Sequence, residues 1–259
     1  MMQARTAAST GSVVATEQFG ASAASYLSSG VHATGADLAR LADLMPADGQ
    51  ARALDLGCGA GHAAFAIAPK AARVTACDPT PEMLAVVADE AARRGLTNLV
   101  VARAAAERLP FEDASFDAVV TRMSAHHWTD LDAALGEIRR VLAPGGRLVV
   151  IDVLGHPDPL IDSHLQAIEL LRDRSHVRNR TATEWRTLLA AAGFSVTETS
   201  QWRLPIAFDG WVARMRTPTV RIAAIRDLWA GAPEAVRAAW KMQPDCSFEL
   251  DCGMFIAEG

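Results

Sequence analysis

Ala53-Leu54-Asp55-Leu56-Gly57-Cys58-Gly59-Ala60-Gly61 is the stretch on which the fold of this 259-residue chain turns. Residues 51–56 are apolar except for Arg52 and Asp55, which fits a buried parallel strand. Three glycines at alternate positions follow at once. A tight strand-to-helix turn needs glycine where φ is positive, or where a ligand must approach the backbone. The helix beyond such a turn offers unpaired N–H groups and a partial positive charge. Dinucleotide folds use G-x-G-x-x-G and P-loops end in G-K-S/T; neither spacing occurs here. For the glycines alone, a loop that serves no ligand is the competing reading.

Outward from this turn the chain alternates. A helix runs to residue 68, and residues 73–77 form a second strand closed by Asp78. Thr80 is placed as N-cap with Pro81 at the first helical position, and Gly95 ends that helix. Residues 99–101 and 116–121 read as strands. A helix from about 129 carries Leu131, Ala134, Leu135, Ile138 and Leu142 on one side, Pro144-Gly145-Gly146 stops it, and 148–153 is a fifth strand. Such alternation predicts a parallel sheet with right-handed crossovers and helices on both faces. After Val153 the expectation is a helix over about 158–182, a helix over 185–192, a strand over 194–199, helical chain over 209–241 and a last strand over 254–257. The two polar helical stretches, 158–182 and 209–241, are read as lid insertions over the sheet. Residues 1–45 are expected to form a helical segment over the site, with 1–18 mobile and 46–259 the core domain.

Asp78 stands 17 residues after Gly61. An acidic side chain at the end of a second strand accepts hydrogen bonds from ribose hydroxyls in nucleotide-binding α/β folds; assistance in capping the next helix is the alternative. His126 and His127 follow the fourth strand, where open α/β sheets bind ligands. A neutral imidazole there can take a proton from an attacking nucleophile. Packing under Trp128 competes with that role, and without a third ligand at sensible spacing no metal site is expected. Arg172, Arg174, Arg178 and Arg180 with His176 form the one cationic cluster, suited to an acidic substrate or simply to salt bridges with Glu169 and Asp173.

Lys and Arg number 25 against 30 Asp and Glu, a net charge of −5, which argues against a general nucleic-acid binder. No apolar run approaches the ~20 residues that span a bilayer, and the N-terminus lacks the apolar core of a secretory signal. Cys58, Cys77, Cys246 and Cys252 include no C-x-x-C and read as free thiols. The expectation is a cytoplasmic enzyme, monomer or homodimer, without membrane or nucleic-acid partners.

Three segments together, ALDLGCGAG at 53–61, LPFEDASFDAVV at 109–120 and EIRRVLAPGGRLVVIDV at 137–153, resemble the class I S-adenosylmethionine (SAM) dependent methyltransferases, in particular the UbiE-like type 11 group. SAHHW at 124–128, HPDPLIDSHLQAIELLRDRSHVRN at 156–179 and WVARMRTP at 211–218 extend the resemblance to the YafE-like bacterial branch, over nearly the whole chain. The resemblance implies a Rossmann-like, seven-stranded sheet in the order 3-2-1-4-5-7-6 with a reversed final hairpin and a helical lid. It implies methyl transfer from SAM to a small molecule at O, N or C, with S-adenosylhomocysteine (SAH) as product and no metal. A protein of the same fold that binds SAM for a non-methylating role is the alternative, expected to have a pocket too small for an acceptor.

By the same resemblance, Asp55, Gly57, Cys58, Gly59 and Gly61 hold the methionine part of SAM, and Asp78 holds the ribose. Pro79 and Met83 pack beside the adenine, and Ala106 and Glu107 line its edge. Ala105 departs from the polar residue common at its position and removes one side-chain contact to the adenine. Arg122 through His127 pass the methionine carboxylate and the sulfonium, with His127 rather than His126 facing the methyl. Phe19 and Tyr26 sit where an N-terminal helix closes over SAM. Trp128, Gln166, Glu169, Arg172 and Arg214 are the candidate acceptor contacts.

Overall fold

The computed structural model describes residues 10–20, 35–46 and 48–259. Seven strands form one sheet: β1 (Arg52–Leu56), β2 (Arg73–Asp78), β3 (Leu99–Arg103), β4 (Phe116–Arg122), β5 (Leu142–Val153), β6 (Ser195–Ile206) and β7 (Phe248–Glu258). Their order is β3-β2-β1-β4-β5-β7-β6. The first five are parallel, and β7 runs antiparallel to both β5 and β6. Strand order reverses beside β1, so the C-terminal ends of β1 and β4 open a crevice. This is the expected Rossmann-like sheet with its reversed hairpin.

Helices bury both faces. On one, α2 (Ala36–Asp43), α3 (His62–Ile67) and α4 (Pro81–Arg94) bring Leu41, Phe65, Ile67 and Val87 against Val74, Ala118 and Ile151. On the other, α5 (Leu131–Val141) and α7 (Ala182–Ala191) set Leu135, Ile138, Trp185 and Leu189 against Leu54, Val119 and Phe255. Turn chemistry matches the sequence at α4, which opens with Pro81 and closes on Gly95 at φ 70°. Thr80 holds the N-cap position, but its side chain makes no capping bond; Asp78 accepts the Thr80 N–H instead, at 2.9 Å.

The lid departs from the expected pattern. Helix α6 (Pro159–Arg172) ends ten residues early, and 173–181 is a loop. That loop is held by backbone bonds, Val177 and Arg178 donating to the His126 carbonyl at 2.9 and 3.1 Å. The expected helical chain over 209–241 is three helices, α8 (Phe208–Arg214), α9 (Thr219–Ala230) and α10 (Glu234–Ala239). Pro218 and Pro233 stand at the N-caps of α9 and α10, where each rules out continuation of the preceding helix. Strands β6 and β7 are longer than 194–199 and 254–257 because they run past the sheet's edge as a ribbon into the lid. Trp229 and Trp211 meet Phe248 of β7 edge-on at 4.6 and 5.2 Å, so the lid has its own apolar core on that ribbon. Strand β5 starts at Leu142, directly after α5, with a register shift against β4 where Pro144-Gly145-Gly146 loops out.

At the N-terminus, α1 (Thr10–Gly20) is helical where the sequence offered no periodicity and mobility was expected up to residue 18. Gln18 on this helix donates to the Met215 carbonyl at 3.0 Å, which ties it to the lid. Tyr26 lies outside the described residues. Among those described, no helix is long and apolar enough to cross a membrane.

Helix α2 is locked to the sheet by one buried ion pair: Arg122 Nε lies 2.6 Å from Asp37 Oδ2, with the side chains only 7% and 8% exposed. Removing one partner of such a pair leaves a charge without compensation. Asp37→Ala is therefore expected to lower stability by about 3 kcal/mol in urea unfolding, and Asp37→Leu with Arg122→Met to recover most of that loss.

Candidate active site

Gly57, Gly59 and Gly61 all take positive φ, at 68°, 49° and 86°, so the turn after β1 is one that L-residues resist. The three serve different ends. A Cβ on Gly57 would overlap the Ser124 hydroxyl, and one on Gly61 would press Val87 and Phe65 at 2.9 and 3.0 Å. A Cβ on Gly59 would meet no protein atom within 4 Å. Gly57 and Gly61 let protein pack against the turn, whereas Gly59 faces an open cleft.

Two carboxylates hold the turn. Asp78 Oδ2 accepts the Gly59 N–H at 3.0 Å, and Asp55 Oδ2 accepts the Ala64 N–H in the first turn of α3 at 2.8 Å. Burial pushes the Asp78 carboxyl up, with the Thr80 and Gly59 N–H groups pulling the other way. Asp55 is raised to about 7, chiefly by burial, with the Ala64 N–H opposing and the Asp78 charge adding. Both carboxylates line a cleft of about 610 Å³ with Phe19, Gly57, Cys58, Gly59, Met83, Arg122, Ser124 and His127. Asp78 also lines an adjoining cleft of about 520 Å³ that holds Pro79, Ala106, Glu107 and Trp128. The expected SAM contacts thus gather as two neighbouring clefts joined at Asp78 and Gly57. Met83 lies on the glycine side rather than beside Pro79, and Trp128 faces this pair of clefts rather than the acceptor side. Gly61 supports the turn from behind.

A third cavity opens beyond His127. Phe19, Met123 and His127 line both it and the first cleft. Its apolar wall is Val153, Leu204, Ile206, Trp211 and Leu250, and its polar residues are His126, Glu169, Arg172, Asp173 and Arg214. Glu169, Arg172 and Arg214, expected on the acceptor side, are therefore brought together. Arg172 stacks on the Trp211 ring at 4.9 Å and lies 3.5 Å from Glu169. Gln166 is elsewhere: its amide bonds the Asn179 backbone, Asp162 and His176 at 2.9–3.1 Å and holds the 173–181 loop in place. The arginine run is not one cluster either, since Arg178 turns outward to Glu184 at 2.9 Å.

The two histidines differ sharply. His126 Nδ1 lies 2.6 Å from Asp152 Oδ1. Burial opposes its charge, but the Asp152 carboxylate together with Glu169 and Asp173 outweighs that and raises the imidazole. His127 Nδ1 faces the Ser175 carbonyl at 3.1 Å, and the nearest carboxylate oxygen, of Asp173, is 3.9 Å from its Nε2. Burial, reinforced by the charge of His126, lowers His127 to about 4. A His127 that takes a proton from the nucleophile near neutral pH, the role open to either histidine from the sequence, does not fit this environment. Asp152 and Met123 were not singled out from the sequence. Asp152 had a signal, a lone carboxylate in the apolar run LVVIDV. Met123, at φ 52°, had none, because nothing in its type announces a left-handed backbone.

The reversed seven-stranded sheet, the glycine turn and the acidic ends of β1 and β2 define a class I SAM-dependent methyltransferase, and the chain belongs to that family. A model described as a methyltransferase domain matches residues 54–150. Within the family the chain is similar to the uncharacterized protein YafE of Escherichia coli K12, 44% identical over 197 residues, 76% of this chain and 95% of that one. It is 36% identical over 203 residues to the uncharacterized methyltransferase YcgJ of Bacillus subtilis, 78% of this chain and 80% of that one. The crystal structure of YcgJ superposes with a TM-score of 0.82 at 31% identity, covering 86% of this chain and 97% of the other.

Two measurements test the cleft. Gly59→Val adds side-chain volume only to the open cleft, at a backbone strain of ~1 kcal/mol, so the variant should stay folded while calorimetric SAH affinity falls at least about tenfold. Gly57→Val should instead lose stability, because the added atoms meet Ser124. The second concerns Asp55: its raised carboxyl means that folding favours the protonated form, so this group's contribution falls as pH rises from about 4 to about 7. A ligand ammonium beside it favours the ionised form. SAH affinity should therefore rise with pH up to about 7 and then level off, and Asp55→Asn should flatten that slope.

Proposed function

We propose that this protein transfers the methyl group of SAM to a small-molecule acceptor seated in the chamber beyond His127, with SAH as product. The observation that carries this reading is the junction at Phe19, Met123 and His127, which sets the donor cleft and the chamber against each other. When bound, SAM supplies a methyl carbon on a sulfonium, a good leaving group, so alignment can account for most of the acceleration.

The residues present fit that donor. Asp55 and the Gly57–Gly59 backbone hold the amino-acid portion, with Arg122 at the cleft floor toward its carboxylate. Asp78 accepts the Gly59 and Thr80 N–H groups and draws on the Thr80 hydroxyl, and a carboxylate's four acceptor sites leave capacity for ribose hydroxyls. Pro79, Ala106 and Glu107 line the adenine side, and Ala105 lines it without a polar contact. Phe19 covers the junction and meets the His127 ring edge-on at 5.0 Å. His127 stays neutral through the physiological range and acts as a wall and positioning group. A SAM-binding protein without an acceptor would need no second chamber beside the donor cleft; the apolar-walled chamber that meets the cleft at Phe19, Met123 and His127 favours transfer.

Asp78→Ala removes charge-assisted hydrogen bonds of about 1.5–3 kcal/mol each, and SAH binding should weaken at least about tenfold by calorimetry. A 2′-deoxy analogue of SAH should lose less against this variant than SAH does, because it lacks one of the bonds. Incubation with methyl-tritiated SAM and a small-molecule extract should move label into the low-mass fraction. Equal losses for the two ligands would remove the ribose role, and label confined to macromolecules would overturn the acceptor class.

A further inference from the structure

We infer that His126, backed by Asp152, is the general base of this site, and that the acceptor reacts through an acidic hydroxyl, of phenol or enol type, on a flat apolar body; this rests on the methyl-transfer reading above.

The geometry at His126 is that of a base held for use. An imidazole nitrogen 2.6 Å from a carboxylate oxygen must carry a proton, so in the neutral ring Nδ1 is the N–H and Nε2 holds the lone pair. Asp152 is fixed in turn: Oδ2 accepts the His126 backbone N–H at 3.0 Å and Oδ1 the Val153 backbone N–H at 2.9 Å, and the side chain is 1% exposed. The His126 carbonyl is bonded by Val177 and Arg178, so the residue is pinned on both sides. Among the described residues no protein group bonds Nε2, and His126 lines the chamber and not the donor clefts.

Proton removal needs a partner for the imidazolium. The groups facing His126 are Asp152 from β5, Glu169 and Arg172 from α6, Asp173 and His176 from the loop, Arg214 from α8, and its neighbour His127. Burial lowers His176 to about 2 and His127 to about 4, so both remain neutral and the carboxylates set the field. In the step itself the acceptor O–H bond breaks and the proton passes to Nε2. The electron pair stays on oxygen, available for the new bond to carbon, and Asp152 balances the imidazolium. The proton returns to water after product leaves.

The chamber narrows the acceptor. Met123, Val153, Leu204, Ile206, Leu250 and the Trp211 ring suit a flat apolar molecule. Arg172 and Arg214 stand among them and favour an oxygen that becomes anionic. A neutral amine already has its lone pair and would need no such base before attack.

The probe is 4-nitrophenol, whose phenolate absorbs visibly and whose phenol does not, added to the SAH complex at about pH 6, where the free probe is mostly phenol. Bound to the wild-type complex it should show the phenolate band. His126→Gln and Asp152→Asn should each cut the phenolate fraction about tenfold, the equivalent of one pKa unit. By nitrogen NMR the His126 imidazole of the wild type should titrate above the ordinary histidine range and drop in Asp152→Asn. Failure to bind SAH would overturn the methyl-transfer reading itself. SAH binding with the probe unbound or still neutral in the wild type, or phenolate persisting in His126→Gln, would overturn this inference alone.

Discussion

The bond from the Gly59 N–H to Asp78 Oδ2 joins the turn after β1 to the end of β2. Alongside it, the Gly57 and Cys58 N–H groups both donate to the Cys77 carbonyl, at 2.8 and 3.0 Å. A left-handed glycine turn is floppy in isolation, because glycine gives up more conformational freedom on ordering than any other residue. Tying the turn to the neighbouring strand end turns that freedom into a fixed cradle. The start of α3, the open face at Gly59 and the approach of Ser124 to Gly57 all follow from where this bond puts the chain.

Asp55, Asp78 and Asp152 close β1, β2 and β5 at the same edge of the sheet, and each is all but buried. Parallel strands end there with backbone groups that the sheet no longer pairs, so buried carboxylates find N–H partners nearby. Their neighbours then separate them. Asp55 has one N–H and no adjacent cation at bonding distance, and is pushed toward neutrality. Asp78 has two N–H groups and an open cleft. Asp152 has an imidazole and hands its charge on to the chamber. One architectural position thus supplies three different electrostatic characters.

Legibility in the sequence followed the range of the interactions. The strand rhythm, the glycine turn, Asp78 and the Pro81-to-Gly95 helix rest on contacts within a few residues or on the sheet's own periodicity, and all could be read. The sheet order came from resemblance rather than from spacing. What escaped depended on distant partners. Arg122 finds Asp37 across 85 positions, His126 finds Asp152 across 26, and no local pattern marks either pair. The two histidines look alike in sequence, and only the strand behind one of them tells them apart. Gln166 sits on α6 with residues that do reach the chamber, but its amide is consumed by the 173–181 loop, whose path the helical reading of 158–182 had hidden. The extra lengths of β6 and β7 were masked by Gln201 and Arg203 on β6, which is solvated along much of its length, and by Glu249 at the start of β7.

The ribbon of β6 and β7 has an evolutionary corollary. It supplies Leu204, Ile206 and Leu250 to the chamber, while the two neighbouring clefts are built on β1, β2 and β4, and among the described residues the chamber and the glycine-side cleft share only Phe19, Met123 and His127. Energetic effects of substitutions at sites without shared partners are close to additive. Substitutions along the ribbon and α8, away from Phe19, Met123 and His127, can therefore reshape the chamber while the glycine turn and the ends of β1 and β2 stay intact. Chambers of new shape become reachable in single steps, each passing through a protein whose glycine turn is unchanged.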